Sequence, residues 1–171
     1  AYLDRYRDRF LLYGERPFLQ VRNLQQEKTT VIDKLDFGLS AGNNATLFDH
    51  AANPKGRTWS DGWRALMLLT YQCFSPGGLI GDAKWNGVST GRNSEHAPCI
   101  EGSALHTLLI GSSLLDTVHK NLLTKQQVGN VPNVEWGRPI WEVDIDPTHP
   151  EVAAQLCSTY LGRLVPQSRA I

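Results

Sequence analysis

Apolar residues recur along the chain at helical spacing in some stretches and cluster in short runs in others. The changes between these patterns mark the predicted elements. Leu3, Tyr6, Phe10 and Tyr13 lie three or four apart, which places them on one face of a helix. Gly14 and Pro17 stop that helix, and Phe18, Leu19, Gln20 and Val21 predict a short strand. Residues 38–58 are polar and turn-rich, with Asn43, Asn44, Asn53, Pro54 and Gly56. A helix then starts at Ser60 and Asp61, and Trp63, Leu66, Met67, Thr70 and Phe74 form its expected buried face. Pro76, Gly77 and Gly78 end it.

Residues 75–102 carry six glycines and no sustained period, and predict a long irregular loop. Beyond about 12–15 residues, such a loop in a compact domain is usually functional or disordered. Residues 104–110 are an apolar run expected to be a buried strand, broken by Gly111. Ser113 followed by Asp116 is an S-x-x-D helix start, and Leu115, Val118 and Leu122 give that helix a buried face. Gly129, Pro132, Gly137 and Pro139 mark another loop, and residues 140–143 predict a strand. Thr148 and Glu151 are spaced as a capping box, with Pro150 in the first turn. That helix buries Val152, Leu156 and Tyr160 and ends before Pro166. Helices and short strands mix without a regular βαβ repeat, so the expected class is α+β, with long irregular loops. There is no internal repeat and no low-complexity tract.

Composition narrows the functional classes. A chain of 171 residues suits one domain with a sizeable core. Seventeen basic residues balance seventeen acidic ones, and the isoelectric point is about 7.2. Sequence-independent phosphate binding normally needs a basic excess, so a free-standing non-specific nucleic-acid binder is disfavoured. No apolar stretch reaches membrane-span length and no charged-then-apolar leader opens the chain, so a cytoplasmic protein without a membrane partner is expected. Cys73, Cys99 and Cys157 are odd in number and far apart, which predicts unpaired thiols in a reducing compartment. The chain opens at Ala1 without a methionine and stops at Ile171 as an apolar segment begins. Both ends are therefore expected to be cut from a longer protein.

Catalytic motifs are scarce. There is no G-x-S-x-G elbow, no G-x-x-x-x-G-K-[ST] loop and no H-E-x-x-H pair, and no cofactor is called for. His96 and Cys99 have the spacing of half a zinc site, which makes a zinc-dependent hydrolase fragment one alternative. Cys73 and Cys157 stand alone, and His106 and His119 fall on segments read as packed. An ordinary loop histidine and a buried thiol is the simpler reading. His50 and His149 sit beside turns and read as solvated. Of the five tryptophans, Trp63 and Trp141 lie in apolar patterns and read as core. Trp59 and Trp85 lie in or beside the two long polar stretches and are candidate stacking platforms. Gly77, Gly78, Gly81 and Gly87 lack a Cβ, so the backbone there can take φ > 0 and approach a base edge closely. Peptide groups could then read a groove without a basic patch; the simpler alternative is a flexible crossover.

The order of motifs resembles a known family. Glu15 to Gln20 (ERPFLQ), residues 38–48 (GLSAGNNATLF), residues 73–78 (CFSPGG), residues 102–123 and residues 160–169 (YLGRLVPQSR) follow the arrangement of the CasA family. These are the large subunits of the type I-E CRISPR surveillance complex, Cascade. The resemblance implies a non-enzymatic protein with an amino-terminal α+β domain and a carboxy-terminal four-helix bundle. Residues 1–171 are similar to the central and later part of the first domain, as a single-domain fragment without the bundle. It implies recognition of the protospacer-adjacent motif (PAM) in foreign double-stranded DNA, contact with the crRNA 5′ handle, and recruitment of a helicase–nuclease for antiviral defence. Other Cascade subunits, crRNA and target DNA are the implied partners. The handle-binding loop resembles residues 42–49, placing its aromatic at Phe48 beside Asn43 and Asn44. The glycine loop resembles residues 76–81, with Gly77, Gly78 and Gly81 as its reading positions and Lys84 beside it. Leu79 and Ile80 separate Gly78 from Gly81, a departure from the adjacent glycines common in the family. A pure protein-interaction scaffold, with the long loops docking on partners, is the remaining alternative.

Overall fold

A computed structural model describes residues 1–39, 57–75, 78–95 and 107–171, with the backbone alone for 78–80 and 93–95. Its longest helix, α2 (Asp61–Phe74), begins where Ser60 Oγ accepts a hydrogen bond from the Trp63 amide, the cap expected from sequence. The buried stripe of α2 is Leu68, Gln72 and, just past its end, Ser75. Those steps of four and three keep the three side chains on one face. The predicted face is therefore wrong: Trp63, Leu66 and Phe74 are exposed. α2 is apolar around most of its circumference, so apolar spacing alone cannot select the inner face.

The core centres on Leu19, Leu68 and Ile140, with Leu12, Phe18, Leu69, Trp141, Ile145, Leu156, Val165 and Ile171 packed against it. Chain segments far apart in sequence thus converge on α2. Residues 18–21 reach it as a turn and not as the predicted strand. Leu19 has φ 54°, the Gln20 amide bonds Pro17 O at 3.2 Å, and the Val21 amide bonds Ile171 O at 2.8 Å. Residues 140–143 also form no strand; Ile140–Glu142 is a 3-10 turn.

The first predicted helix splits at Tyr6 into α1 (Tyr2–Arg5) and a 3-10 turn, Arg7–Phe10. A second 3-10 turn, Ile32–Leu35, packs beside α2. α3 (Leu114–Asn121) starts as predicted, with Ser113 Oγ accepting from the Asp116 amide at 3.1 Å. Its expected buried face points outward: Leu115, Val118 and Leu122 are all exposed. The same holds for residues 107–110, which form no strand and leave Leu108, Leu109 and Ile110 exposed; residues 104–106 lie outside the described residues. α4 (Lys125–Gly129) follows through a capping box between Thr124 and Gln127, in a stretch read as loop. Pro150 opens α5 (Pro150–Cys157) as expected. The capping box predicted there does not form, because the Thr148 hydroxyl bonds Asp146 Oδ1 and His149 is the N-cap residue, with no side-chain bond to a backbone amide of the first turn. Tyr160 does not extend α5. Thr159 caps a separate helix, α6 (Tyr160–Leu164), accepting from the Gly162 amide.

The strands are short and antiparallel: β1 (Leu24–Gln25), β2 (Gly78–Ile80), β3 (Lys84–Trp85), β4 (Val88–Ser89) and β5 (Asn93–Glu95). β1, β3 and β4 form one sheet in the order β1-β3-β4, and β2 pairs with β5. The fold is α+β, and the predicted irregular loop at 75–102 is corrected: within its described residues it carries four of the five strands.

Candidate nucleic-acid interface

The segment from Gly78 to Glu95 is one hairpin nested in another. In the outer pair Gly78 lies opposite Glu95, Leu79 opposite Ser94, and Ile80 opposite Asn93. In the inner pair Lys84 lies opposite Ser89 and Trp85 opposite Val88. Asn86 and Gly87 join the inner strands with φ of 49° and 82°, the two positive values a type I′ turn needs. Asn-Gly between Trp85 and Val88 is the signal that identifies this hairpin in the sequence. It is hidden because the strands it joins are only two residues long.

Side chains fix the neck between the two pairs. Asp82 Oδ1 accepts from Ser89 Oγ at 2.7 Å and from the Gly91 amide at 3.0 Å. Thr90 and Ala83 exchange bonds across the strands: the Thr90 amide donates to Ala83 O at 2.8 Å, and the Ala83 amide to Thr90 Oγ1 at 3.1 Å. The hairpin is anchored to the amino-terminal segment through β1, with Leu24 opposite Trp85 and Gln25 opposite Lys84. The Trp85 indole N–H donates to Arg22 O at 3.0 Å. Trp85 also lines a cleft of about 370 Å³ with Phe18, Arg22, Trp141 and Asp146. It is half-buried, a wall of that cleft more than a free stacking platform. The other proposed platform, Trp59, is buried, whereas Trp63, read as core, is exposed. Trp141 packs against the core as expected.

Of the predicted site residues, Gly78, Gly81 and Lys84 are brought onto this double hairpin. Gly78 is in a strand ladder and not in an open loop. Gly81 does not use a positive φ, and a Cβ there would meet Gln26 Nε2 at 3.3 Å. Gly87 does use one, for the turn and not for a ligand. Lys84 is exposed, and so is Arg92 immediately before β5. Among the described residues neither forms an ion pair, so both offer a free cation beside the outer pair. Arg92 went unmarked in the sequence because an isolated arginine in a glycine-rich stretch carries no spacing signal. Gly77, and with it Asn43, Asn44 and Phe48 of the expected handle loop, lies outside the described residues. So do His96, Cys99, His50 and His106. Among the described residues no group of three or more His, Cys, Asp or Glu could hold a metal. His119, read as packed, is exposed on α3, and His149 pairs with Glu151 at 3.0 Å. Cys73 and Cys157 are each half-buried. No helix among the described residues is long and apolar enough to cross a membrane.

Comparison with known proteins decides the family. The profile of the family described as CRISPR-associated protein Cse1 matches residues 1–171. The chain belongs to the Cse1 family. This Cse1-family chain is 40% identical to the CRISPR-associated protein CasA/Cse1 of Thermus thermophilus over 146 residues. That match covers 83% of this chain and 26% of the Thermus protein, so the chain spans about a quarter of the length of that relative. No solved structure matches it.

Proposed function

We propose that this Cse1-family chain is part of the non-catalytic large subunit of Cascade, a cytoplasmic antiviral surveillance complex guided by crRNA. In this reading residues 1–171 are a fragment of the subunit's amino-terminal domain. The segment from Gly77 to Gly81 enters the minor groove of double-stranded DNA at the PAM. Asn43, Asn44 and Phe48 contact the crRNA 5′ handle, and the assembled subunit helps recruit the helicase–nuclease. The observation that carries the DNA-binding reading is the braced double hairpin, which holds Gly78 and Gly81 on a rigid stem with two exposed cations, Lys84 and Arg92, beside them.

The minor groove offers only acceptors plus the guanine N2 amino donor, so a backbone pressed to its floor distinguishes mainly A·T from G·C pairs. Such a contact leaves no room for a Cβ and repels a carboxylate near phosphates. In the full-length subunit within an assembled complex, Gly78→Asp should reduce PAM-dependent target binding by at least about tenfold, with a melting curve close to wild type. Gly81→Ala, whose Cβ meets only the flexible end of Gln26, is the gentler companion variant. Lys84→Ala should weaken binding to all sequences alike and lower the salt slope by about one. Binding of targets with and without the PAM across a salt series reads all three. Unchanged PAM discrimination in both glycine variants would return residues 76–81 to a structural role.

A further inference from the structure

On the side of the fold formed by α1 and the start of α6 lies a second cleft, of about 450 Å³, lined by Tyr2, Trp136, Pro139, Trp141, Leu161 and Glu142. Three of its walls are aromatic, and each ring is held from behind. Trp136 stacks on Tyr160 with centroids 5.4 Å apart. Trp141 packs against Phe10 at 5.3 Å, and Tyr2 against Tyr6 at 5.2 Å. The turn carrying Trp136 is pinned as well: the Tyr160 amide bonds Glu135 O at 2.8 Å and the Leu161 amide bonds Trp136 O at 3.0 Å. Gly137 takes φ 67°, and a Cβ there would overlap Thr159 Oγ1. The walls are therefore preorganised.

Glu142 is the one ionisable carboxylate among these walls, and it is also oriented. The Trp141 indole N–H donates to the Tyr2 hydroxyl at 2.9 Å, and that hydroxyl donates to Glu142 Oε1. Partial desolvation first, and then the bond to Glu142, push the Tyr2 hydroxyl above its usual range. Glu142 forms no ion pair among the described residues. Of the arginines on α1 and the turn after it, Arg9 pairs with Asp144 at 2.7 Å, and the Arg5 guanidinium sits 5.3 Å from the Tyr6 ring centre.

Aromatic walls with one uncompensated carboxylate favour a cation whose charge is spread over an apolar or planar body. The cleft is also open, since Trp136, Trp141 and Leu161 are each only half-buried. A small molecule there would keep much of its surface in water, whereas tight small-ligand sites bury most of theirs. A side chain delivered from a larger surface does not need full enclosure. We propose that this cleft is a socket for an arginine or lysine side chain of a partner polypeptide, with Glu142 as the counter-charge and Tyr2, Trp136 and Trp141 as the cage.

The test follows the indole N–H resonances of Trp136 and Trp141 in this chain during titration with acetyl-Gly-Arg-Gly-amide. Its citrulline counterpart has the same shape without charge. The arginine peptide should bind about tenfold more tightly than the citrulline peptide, the range of a partly exposed cation–aromatic contact plus its carboxylate. Glu142→Gln keeps an oxygen to accept from Tyr2, so the chain should melt as wild type does while the preference for arginine disappears. Tyr2→Phe, which leaves the ring and removes the hydroxyl that aims Glu142, should weaken arginine binding several-fold. Methylguanidinium should bind more weakly than the peptide. Equal binding of the two peptides, or unchanged preference in Glu142→Gln, would overturn the cation socket. Methylguanidinium binding as tightly as the peptide would overturn the polypeptide as its occupant.

Discussion

Gln72 has no exposed surface, and its amide is fully employed. Its Nε2 donates to Leu19 O at 2.9 Å and to Arg169 O at 2.8 Å. Its Oε1 accepts from the Arg169 amide at 2.9 Å, and its backbone oxygen accepts from Ser168 Oγ at 2.6 Å. One side chain thus joins α2 to an early turn and to residues 168–169. Removing it leaves Leu19 O unpaired in the interior and takes the bonds to α2 from the part-buried Arg169 O and N–H, and a buried group left unpaired costs roughly 1–3 kcal/mol. Gln72→Leu, similar in volume, should therefore destabilise the chain by about 3 kcal/mol. For a chain of this size that lowers Tm by roughly 6–12 °C. Thermal unfolding followed by circular dichroism measures it, and a loss below about 1 kcal/mol would mean water or rearranged backbone replaces the amide. This explains why the inner face of α2 is illegible in the sequence. Its decisive residue is polar, and the groups that make it buried lie dozens of positions away.

At the scale of elements, α3 shows what local sequence does determine. Ser113 caps the helix, and the Asp116 carboxylate folds back over its first turn. Asp116 Oδ2 accepts from the Ser112 amide at 2.8 Å and lies 3.0 Å from Lys120 Nζ. Gly111 permits this, since a Cβ there would sit 2.5 Å from that same oxygen. The Ser112 backbone bond first, then Lys120, hold the Asp116 carboxyl below its ordinary value of 3.8. A carboxylate depressed in the folded state stabilises above its unfolded pKa, and the contribution is lost as pH falls through the folded value. Protection of the α3 amides against exchange, corrected for intrinsic rates, should be flat from neutral pH down to about that ordinary value and fall below it. Asp116→Asn should abolish the acid-dependent part; an identical profile in the variant would assign the fall to another group. Ser60, Ser113 and Pro150 are legible for the same reason, because a cap is satisfied within four residues. The Asn86–Gly87 turn is equally local, yet its two-residue strands have no period to flag them. Leu19 at positive φ is illegible in principle, because remote bonds impose a conformation leucine does not prefer. Of the candidate site, Gly78, Gly81 and Lys84 are singled out by family resemblance, but their mounting on a nested hairpin is not legible in the sequence.

At the scale of the whole molecule, charge sets what the chain can do alone. Seventeen cations face seventeen anions, and several of the cations are occupied within the fold. Arg9 pairs with Asp144, Arg22 with Glu15, Arg64 with Asp61 and Lys120 with Asp116. Affinity for duplex DNA scales with the phosphates neutralised and the counterions released. Two free cations beside the double hairpin, Lys84 and Arg92, release few. The 171-residue chain by itself should therefore bind duplex DNA only in the non-specific range, with Kd of about 10⁻⁴–10⁻⁶ M or weaker at physiological salt, and without preference for any short motif. Under the proposed function, the remaining phosphate contacts would come from other parts of a family-length subunit or from its neighbours. That division of labour would leave the glycine segment free to discriminate without having to hold the duplex. Fluorescence anisotropy with duplexes that carry or lack the PAM tests this directly. A nanomolar, motif-dependent Kd for the chain alone would show that the hairpin supplies affinity as well as discrimination, and the charge argument would fall.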